Sequence, residues 1–153
     1  MELLQVGAQA PDFEFTDTDG KRKRLSDLRG GRPVVVYFYP KDNTPGCTTE
    51  ACGFRDSMQA YESRGGVKVI GISVDSEESH RKFREKFGLN FPLVPDPEKR
   101  IVSAYGVLGD RSAKRITYII GPDGKVAYVY GKVSPKDHPA EVLEKLRELG
   151  FAT

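Results

Sequence analysis

Six consecutive residues near the start of the chain, at positions 34–39, are all apolar or aromatic and read VVVYFY. β-Branched and aromatic residues favour strands, and a run without polar alternation is typical of a strand that is covered on both faces. Such strands occur in sheets that have helices packed on either side. The run therefore predicts the central strand of an α/β protein.

The rest of the chain alternates between strand-like and helix-like segments. After the central strand, the predicted elements are a helix at residues 47–63, a buried strand at 67–74, a helix that follows Ser76 and reaches 87, a short helix at 101–105, strands at 116–120 and 126–130, and a helix at 139–149. The last two strands flank a turn at 122–124 and should pair antiparallel. The pattern predicts a mixed sheet with helices on both faces, which is a three-layer sandwich.

Two short segments near the N-terminus, residues 13–16 and 21–25, alternate between apolar and polar residues on either side of a turn at 17–20. Alternation of this kind around a turn that ends in glycine indicates a β-hairpin with one face in solvent. We expect this hairpin to lie outside the main sheet.

The length and charge of the chain limit its organisation and its partners. A chain of 153 residues can bury its own core, so we expect residues 1–153 to form a single domain. The 24 Lys and Arg residues nearly balance the 22 Asp and Glu residues and are scattered, so nucleic acid is not an expected partner. No apolar run approaches the ~20 residues of a membrane span, and the start does not resemble an export signal. We expect a cytoplasmic protein that does not bind membranes.

Cys47 and Cys52 are the only cysteines in the chain. In a thiol-reducing compartment, cysteines tend to be catalytic, redox-sensing or metal-binding. Cys47 follows the loop after the predicted central strand and lies in the first turn of the predicted helix, where backbone N–H groups and the helix dipole favour a thiolate. Thr44 lies three residues earlier, close enough for its hydroxyl to hydrogen-bond this thiolate or an oxygen bound beside it. The positions predict that Cys47 is a nucleophile.

Other interpretations of the cysteines remain open at this point, among them a redox-sensing module that does not turn over substrate. Cys47 could be a small apolar residue at the start of a helix. The two cysteines could bind zinc together with His80 and His138, although four intervening residues are at the edge of the usual ligand spacing. They could also exchange disulfides with other proteins, although such exchangers of the thioredoxin type use a Cys-x-x-Cys spacing.

The run FYPKDNTPGCTTEAC at residues 38–52 resembles the peroxiredoxins, specifically the Q-type or bacterioferritin comigratory protein subfamily. Its Pro-x-x-x-Thr-x-x-Cys core is a specific signal. The resemblance extends to the opening segment at residues 7–15, to residues 71–75 and to the segment that begins with Arg115. It implies a thioredoxin-like fold.

The resemblance also implies a role for each site residue. It implies that Cys47 is the peroxidatic cysteine, Cys52 the resolving cysteine, Thr44 and Gly46 part of the peroxide site, Pro40 its shield, and Arg115 the activator of thiolate and substrate. The expected reaction reduces hydrogen peroxide or a small organic hydroperoxide, passes through a Cys47 sulfenic acid, and ends in an intrachain disulfide that thioredoxin reduces. The resemblance implies no metal, flavin, haem or selenium, and the lack of a cysteine-bearing C-terminal arm favours a monomer.

The role of Arg115 also has a physical basis. A fixed positive charge favours the thiolate and the negative charge that develops on the leaving oxygen. If the strand after Arg115 runs antiparallel to the central strand, it begins at the edge where the central strand ends. Arg111 and Lys114 lie close enough in sequence to compete for this role.

Three other residues near these motifs receive more modest predictions. His80 lies in a strongly charged helix and is expected at the surface, and Tyr39 is expected in the core. Glu50 is expected to supply a negative charge near a helix N-terminus, where it stabilises the first turn.

The spacing of the two cysteines has a consequence for motion if both lie on one regular helix. Five residues advance ~7.5 Å along a helix and ~500° around it, which separates the two Cα atoms by ~8.6 Å. A disulfide requires Cα atoms within ~7 Å of each other. We therefore expect the first turns of the helix to unwind before the disulfide closes. Gly53 should ease this opening by about 1 kcal/mol relative to alanine.

Overall fold

A computed structural model describes residues 2–17, 20–29 and 32–153. In chain order, the elements are β1 (Glu14–Thr16), β2 (Arg22–Arg24), α1 (Leu25–Arg29), β3 (Val34–Phe38), α2 (Pro45–Gly65), β4 (Lys68–Ser73), α3 (Glu77–Phe87), β5 (Leu93–Pro95), α4 (Arg100–Ala104), β6 (Ile116–Ile120), β7 (Val126–Tyr130) and α5 (His138–Glu148).

The main sheet has five strands in the order β5-β4-β3-β6-β7, so β3 is central as predicted. It pairs in parallel with β4 and antiparallel with β6. All five residues of β3 are buried, because successive side chains point to opposite faces of the sheet and both faces are covered. The predicted mixed sheet is confirmed.

Each face of the sheet packs against a separate apolar cluster. On one face, Val35 and Tyr37 of β3 pack with side chains of α2 and α5, including Phe54 and Leu146. On the other face, residues such as Val36 pack with side chains of α1, α4 and the N-terminal hairpin. The predicted three-layer arrangement, with helices on both faces, is therefore confirmed.

The N-terminal hairpin forms a separate two-stranded sheet in which Phe15 pairs with Lys23. Thr18 and Asp19 of its predicted turn lie outside the described residues. The second segment is shorter than predicted, because the chain turns into α1 at Leu25. There the Asp27 carboxylate accepts a hydrogen bond from the Arg24 N–H at 2.8 Å, which satisfies a donor at the start of the helix.

Strand β5 was not predicted from the sequence. It has three residues, pairs only with β4 and ends in Pro95, and Pro92 directly precedes it. Proline has no backbone N–H to donate, so strands that contain it occur at sheet edges and read as loops in the sequence.

The four predicted helices, α2 to α5 in the described parts of the chain, are confirmed with ends that shift by one or two residues, whereas α1 was not predicted. None of them is both long enough and apolar enough to cross a bilayer. Helix α2 begins at Pro45, directly after the loop that leaves the carboxyl end of β3. This junction holds the candidate site.

Candidate active site

Cys47 is the third residue of α2 and is only 1% exposed. Its helix begins with Pro45, whose missing N–H would have had no partner in the first turn, and the first turn contains no acidic residue. The sulfur therefore lies where unpaired N–H groups and the positive end of the helix dipole favour a thiolate. This is the environment that the sequence predicts for a nucleophile.

Arg115 contacts Cys47 directly, with its Nη2 donating to Cys47 Sγ at 3.2 Å. The sheet explains the contact, since Ile116 of β6 pairs with Phe38 at the end of β3 and the preceding Arg115 lies beside the start of α2. Its side chain is 20% exposed, whereas Arg111 and Lys114 are exposed residues. Of the three candidates, Arg115 is the one that the fold brings to the sulfur.

Glu50 lies beneath Arg115 and accepts a hydrogen bond from Arg115 Nη1 on Oε1 at 2.7 Å. Its side chain is fully buried, and Oε2 has no hydrogen-bond partner. Burial raises the pKa of Glu50 to about 7, against the charge and hydrogen bond of Arg115, which lower it. From the sequence, Glu50 is expected only to supply a charge near the helix N-terminus. Its spacing of three residues from Cys47, which places both on one helix face, could have indicated more.

Thr44 precedes α2 in an extended conformation, and its side chain makes no capping bond to the helix. Instead, its hydroxyl donates to the Lys41 carbonyl at 2.9 Å. The proton of this hydroxyl is thus engaged, and the oxygen keeps lone pairs that can accept a hydrogen bond. Pro40, at the start of the same loop, is half-buried.

Gly46 lies directly under the Arg115 side chain. A Cβ atom at Gly46 would lie 3.1 Å from Arg115 Nη2 and 3.6 Å from Pro135 Cγ. The distance to Arg115 Nη2 is shorter than the contacts that Cβ atoms normally make. Glycine at this position therefore allows the start of α2 to approach the guanidinium. Gly46 and the Arg115 guanidinium therefore pack closely together next to Cys47.

Cys52 is half-buried on the same continuous helix as Cys47, and both cysteines are free thiols. Both cysteines thus lie on one helix, the arrangement for which unwinding is expected. Gly53 has a second role that the sequence did not reveal, since a Cβ atom there would lie 2.8 Å from Pro139 Cγ of α5. Glycine at this position lets α2 and α5 pack closely, so replacing it would disturb this packing as well as the helix.

His80 is buried, and the prediction of a surface position was wrong. It is 3% exposed, and its Nδ1 lies 2.7 Å from Asp42 Oδ2. Its helix is charged on most sides, so the sequence did not reveal that His80 and Phe83 face inward. Tyr39 is buried as predicted, and its hydroxyl donates to Asp42 Oδ1 at 2.6 Å.

His80, Asp42 and Tyr39 belong to a larger polar group that we call the Asp42 cluster. Its members are Tyr39, Asp42, Ser73, Asp75, Ser79 and His80. Burial raises the pKa of Asp42, but hydrogen bonds from His80, Tyr39 and Ser79 outweigh it and hold that pKa below its usual range. The cluster lies where the β3 and β4 strands end, beside the loop that carries Pro40 and Thr44.

The structure does not gather the four candidate zinc ligands. His80 belongs to the Asp42 cluster, and His138 Nε2 lies 2.7 Å from the Thr117 hydroxyl. Burial, aided by the charge of Arg115, lowers the pKa of His138 to about 4. Within the described ranges, the only acidic, histidine or cysteine side chains close enough in threes to share a metal ion are Asp42, Asp75 and His80, and neither cysteine is among them.

The site thus combines a buried thiol at a helix N-terminus, a guanidinium on its sulfur, and a hydroxyl oxygen free to accept. A thiolate can attack an electrophilic atom here while the guanidinium stabilises negative charge on a leaving oxygen. This arrangement suits cleavage of an O–O bond.

Comparisons with known proteins agree with this chemistry. Residues 6–129 match the model of the AhpC/TSA family. The chain is 40% identical over 154 residues to peroxiredoxin Bcp of Bacillus subtilis, covering 95% of this chain and 97% of that protein.

Two solved structures are similar over most of their length. A PrxQ mutant of Xylella fastidiosa has a TM-score of 0.89 and 31% identity, with 98% of this chain and 99% of the other covered. The bacterioferritin comigratory protein of Xanthomonas campestris has a TM-score of 0.82 and 32% identity, with 90% and 91% covered.

Proposed function

This chain belongs to the AhpC/TSA family and is a thiol peroxidase with the thioredoxin-like fold of peroxiredoxins, and we propose that Cys47 attacks the peroxide while Cys52 resolves the oxidised product. The observation that carries the first assignment is the hydrogen bond from Arg115 Nη2 to Cys47 Sγ. It gives this sulfur a fixed cation at a helix N-terminus, and Cys52 lies five residues further along the same helix.

In the first step, the Cys47 thiolate attacks one oxygen of the peroxide, so an S–O bond forms and the O–O bond breaks. The leaving oxygen departs with the bonding electron pair and takes a proton to become water or an alcohol. Arg115 stabilises the negative charge that develops on this oxygen. The Thr44 oxygen accepts a hydrogen bond from the peroxide O–H, since its own proton is held by Lys41. Cys47 is left as a sulfenic acid.

In the second step, the Cys52 sulfur attacks the Cys47 sulfenic sulfur, an S–S bond forms, and the oxygen leaves as water. Because both cysteines lie on α2 in the reduced protein, the first turns of this helix unwind before the bond can close. Pro40 shields the sulfur and Gly46 leaves room beside Arg115 for the peroxide.

The third step requires an external dithiol, which becomes oxidised as the disulfide is reduced. Peroxiredoxins use reductants of the thioredoxin type, and we assign thioredoxin to this chain. We further assign it a monomeric state, since both cysteines lie on one helix, and a cytoplasmic location, since its cycle needs a thiol-reducing compartment.

The substrates are peroxides, and we assign hydrogen peroxide and small organic hydroperoxides. Because Cys47 is only 1% exposed, a compact peroxide reaches its sulfur with the least rearrangement. The similar Xanthomonas campestris protein is described as having alkyl peroxide reduction activity, which supports the organic substrates.

Peroxide consumption with a thioredoxin system tests this function. Cys47→Ser should abolish turnover, because a serine hydroxyl is not ionised at neutral pH. Cys52→Ser should still consume about one equivalent of peroxide per chain but lose steady-state turnover. Near-wild-type turnover by the first variant would remove the central assignment, and unchanged turnover by the second would remove the resolving role of Cys52.

A further inference from the structure

The peptide group between Lys41 and Asp42 is held by hydrogen bonds on both of its sides. Its N–H, from Asp42, donates to Asp75 Oδ2 at 2.8 Å. Its carbonyl, from Lys41, accepts the hydroxyl of Thr44 at 2.9 Å. A single peptide group therefore joins the Asp75 carboxylate to the Thr44 hydroxyl.

We propose that Asp75 is a positioning residue for peroxide binding, which acts through the Lys41–Asp42 peptide group to hold the Thr44 hydroxyl as a hydrogen-bond acceptor. This inference rests on the role given to Thr44 in the proposed function. It concerns a residue that touches neither the sulfur nor the substrate.

Planarity of the peptide bond transmits the orientation. In a trans peptide, the N–H and the C=O lie in one plane and point in opposite directions. When Asp75 fixes the direction of the N–H, it also fixes the direction of the Lys41 carbonyl. That carbonyl determines where the Thr44 proton points, and hence where the lone pairs of the Thr44 oxygen face.

The same chain of hydrogen bonds also transmits charge. A carboxylate that accepts the amide N–H increases the negative charge on the carbonyl oxygen, and hydrogen bonds in series polarise and strengthen one another. The Lys41 carbonyl then binds the Thr44 proton more strongly. The Thr44 oxygen becomes a better acceptor for the O–H of a peroxide.

The anchors on either side of this peptide are themselves fixed. The Ser73 hydroxyl, at the buried end of β4, donates to Asp75 Oδ2 at 2.8 Å. The Asp42 carboxylate accepts hydrogen bonds from Tyr39 and Ser79, at 2.6 and 2.7 Å. The peptide is thus tied to the residue that follows β3, to β4 and to α3 rather than only to the loop that contains it.

The residue that follows this peptide supports the interpretation. Asn43 has a φ of 60°, in the left-handed region that residues other than glycine seldom adopt. Asparagine adopts this region more readily than most other residues do. Here Lys86 of α3 donates to the Asn43 side-chain oxygen at 3.2 Å. A side chain of α3 therefore contacts the loop directly before Thr44.

A double-mutant cycle between Asp75 and Thr44 tests the inference, with the rate of Cys47 oxidation by hydrogen peroxide as the readout. The chain has no tryptophan, so oxidation is followed by rapid quenching and intact mass measurement. Thr44→Val keeps the shape of the side chain and removes no helix cap, since Thr44 makes none. Asp75→Asn retains an acceptor for the Asp42 N–H without the charge.

We expect Asp75→Ala and Thr44→Val each to slow oxidation about tenfold, as the loss of one hydrogen bond predicts. Asp75→Ala should cause no further slowing in the Thr44→Val protein, and Asp75→Asn should slow oxidation less than Asp75→Ala. Alkylation of Cys47 by iodoacetamide should keep its wild-type rate in all of these variants, because the Arg115 contact is intact.

Ser76→Ala is the matched control. Ser76 is the neighbour of Asp75 and accepts a hydrogen bond from the Ser79 N–H at 3.1 Å as the N-cap of α3. Loss of this cap weakens α3 but leaves the hydrogen bonds of the Lys41–Asp42 peptide unchanged. Oxidation should keep its wild-type rate in this variant.

The possible results separate the inference from the proposed function. If Thr44→Val slows oxidation and Asp75→Ala does not, or if their effects multiply in the double variant, the inference is wrong and the role of Thr44 stands. If Ser76→Ala slows oxidation as much as Asp75→Ala, loss of order in α3 is the cause and the inference is wrong. Wild-type oxidation by Thr44→Val would overturn the role of Thr44 and this inference with it.

Discussion

At the scale of single residues, the site depends on how one guanidinium divides its hydrogen bonds. Arg115 donates through Nη2 to Cys47 and through Nη1 to Glu50. Burial lowers the pKa of Arg115, but the two negatively charged partners outweigh it and raise that pKa above its usual value. Glu50 thus holds the Nη1 side of the guanidinium in place, and the Nη2 side of the guanidinium faces the sulfur.

Arg115→Ala should slow the oxidation of Cys47 by roughly 100-fold, the usual effect of removing one donor from a developing negative charge. It should also slow alkylation of Cys47 by iodoacetamide at neutral pH, because the thiolate loses its cation. Arg111→Ala is the matched control, since Arg111 is an exposed residue a few positions earlier. Rapid-quench oxidation measures both variants, and equal slowing by the two would show that the charge of the region matters rather than the Arg115 contact.

At the scale of elements, α2 has to be both rigid and able to open. Beyond Cys52, α5 holds it: Gly53 packs against Pro139, and the Tyr61 hydroxyl donates to the Pro139 carbonyl at 2.6 Å. Before Gly53, the first turns carry the two cysteines. We therefore expect the contacts with α5 to confine unwinding to the N-terminal part of the helix.

A matched pair of variants at Thr49 tests this division. Thr49 is exposed between the two cysteines, and its hydroxyl donates only to Pro45 of the same helix. Both Thr49→Gly and Thr49→Ala lose that bond, but glycine is a poorer helix former than alanine by about 1 kcal/mol. Disulfide closure should be about 5-fold faster with glycine, while the initial attack on peroxide should proceed at the same rate in both.

Rapid mixing with peroxide, followed by mass measurement of the sulfenic acid and the disulfide, separates the two steps. Equal closure rates for the two Thr49 variants would show that opening of the first turns does not limit disulfide formation. Gly53→Ala is not a suitable variant for this purpose, because its methyl group would also collide with Pro139.

At the scale of the whole molecule, two buried groups near Arg115 give opposite dependences of stability on pH. Glu50 has a pKa of about 7 in the folded protein, above its ordinary value of 4.5, so its contribution to stability falls as pH rises through this range. His138 has a pKa of about 4, below its ordinary value of 6.5, so its contribution falls as pH drops through that range. The two effects oppose each other wherever the ranges overlap.

Single substitutions should expose each dependence. Between pH 4.5 and 7, the free energy of unfolding of Glu50→Gln should rise relative to wild type by about 3 kcal/mol. As the pH falls from 6.5 to 4, the free energy of unfolding of His138→Gln should rise relative to wild type by a similar amount. Urea unfolding across this range measures both, and curves that stay parallel to wild type would contradict the assignments.

The reduced protein should unfold as one unit. The central strand β3 contributes side chains to the apolar clusters on both faces of the sheet, so neither cluster can be lost alone. We expect residues 1–153 to behave as a single domain, with one transition that coincides by far-UV circular dichroism and by near-UV tyrosine signals. Two separate transitions would contradict this expectation.

Local patterns along the chain were enough to predict much of this protein. The run at residues 34–39 indicates a central buried strand, and the loop and helix after it indicate a reactive position for Cys47, because strand propensity and helix-terminal electrostatics act between near neighbours in sequence. Arg115 is indicated by the resemblance of its segment to a known family and not by the local sequence pattern. Positive charge alone does not distinguish it from Arg111 and Lys114.

Contacts between distant segments were decided only by the tertiary structure. The burial of His80, the support of Arg115 by Glu50, and the link from Asp75 to Thr44 each depend on which faces of separate elements meet. The close approach of Gly53 to Pro139 joins positions that are 86 residues apart in the sequence. Helical periodicity shows that a residue lies on a certain face, but the packing of strands and helices determines what that face meets.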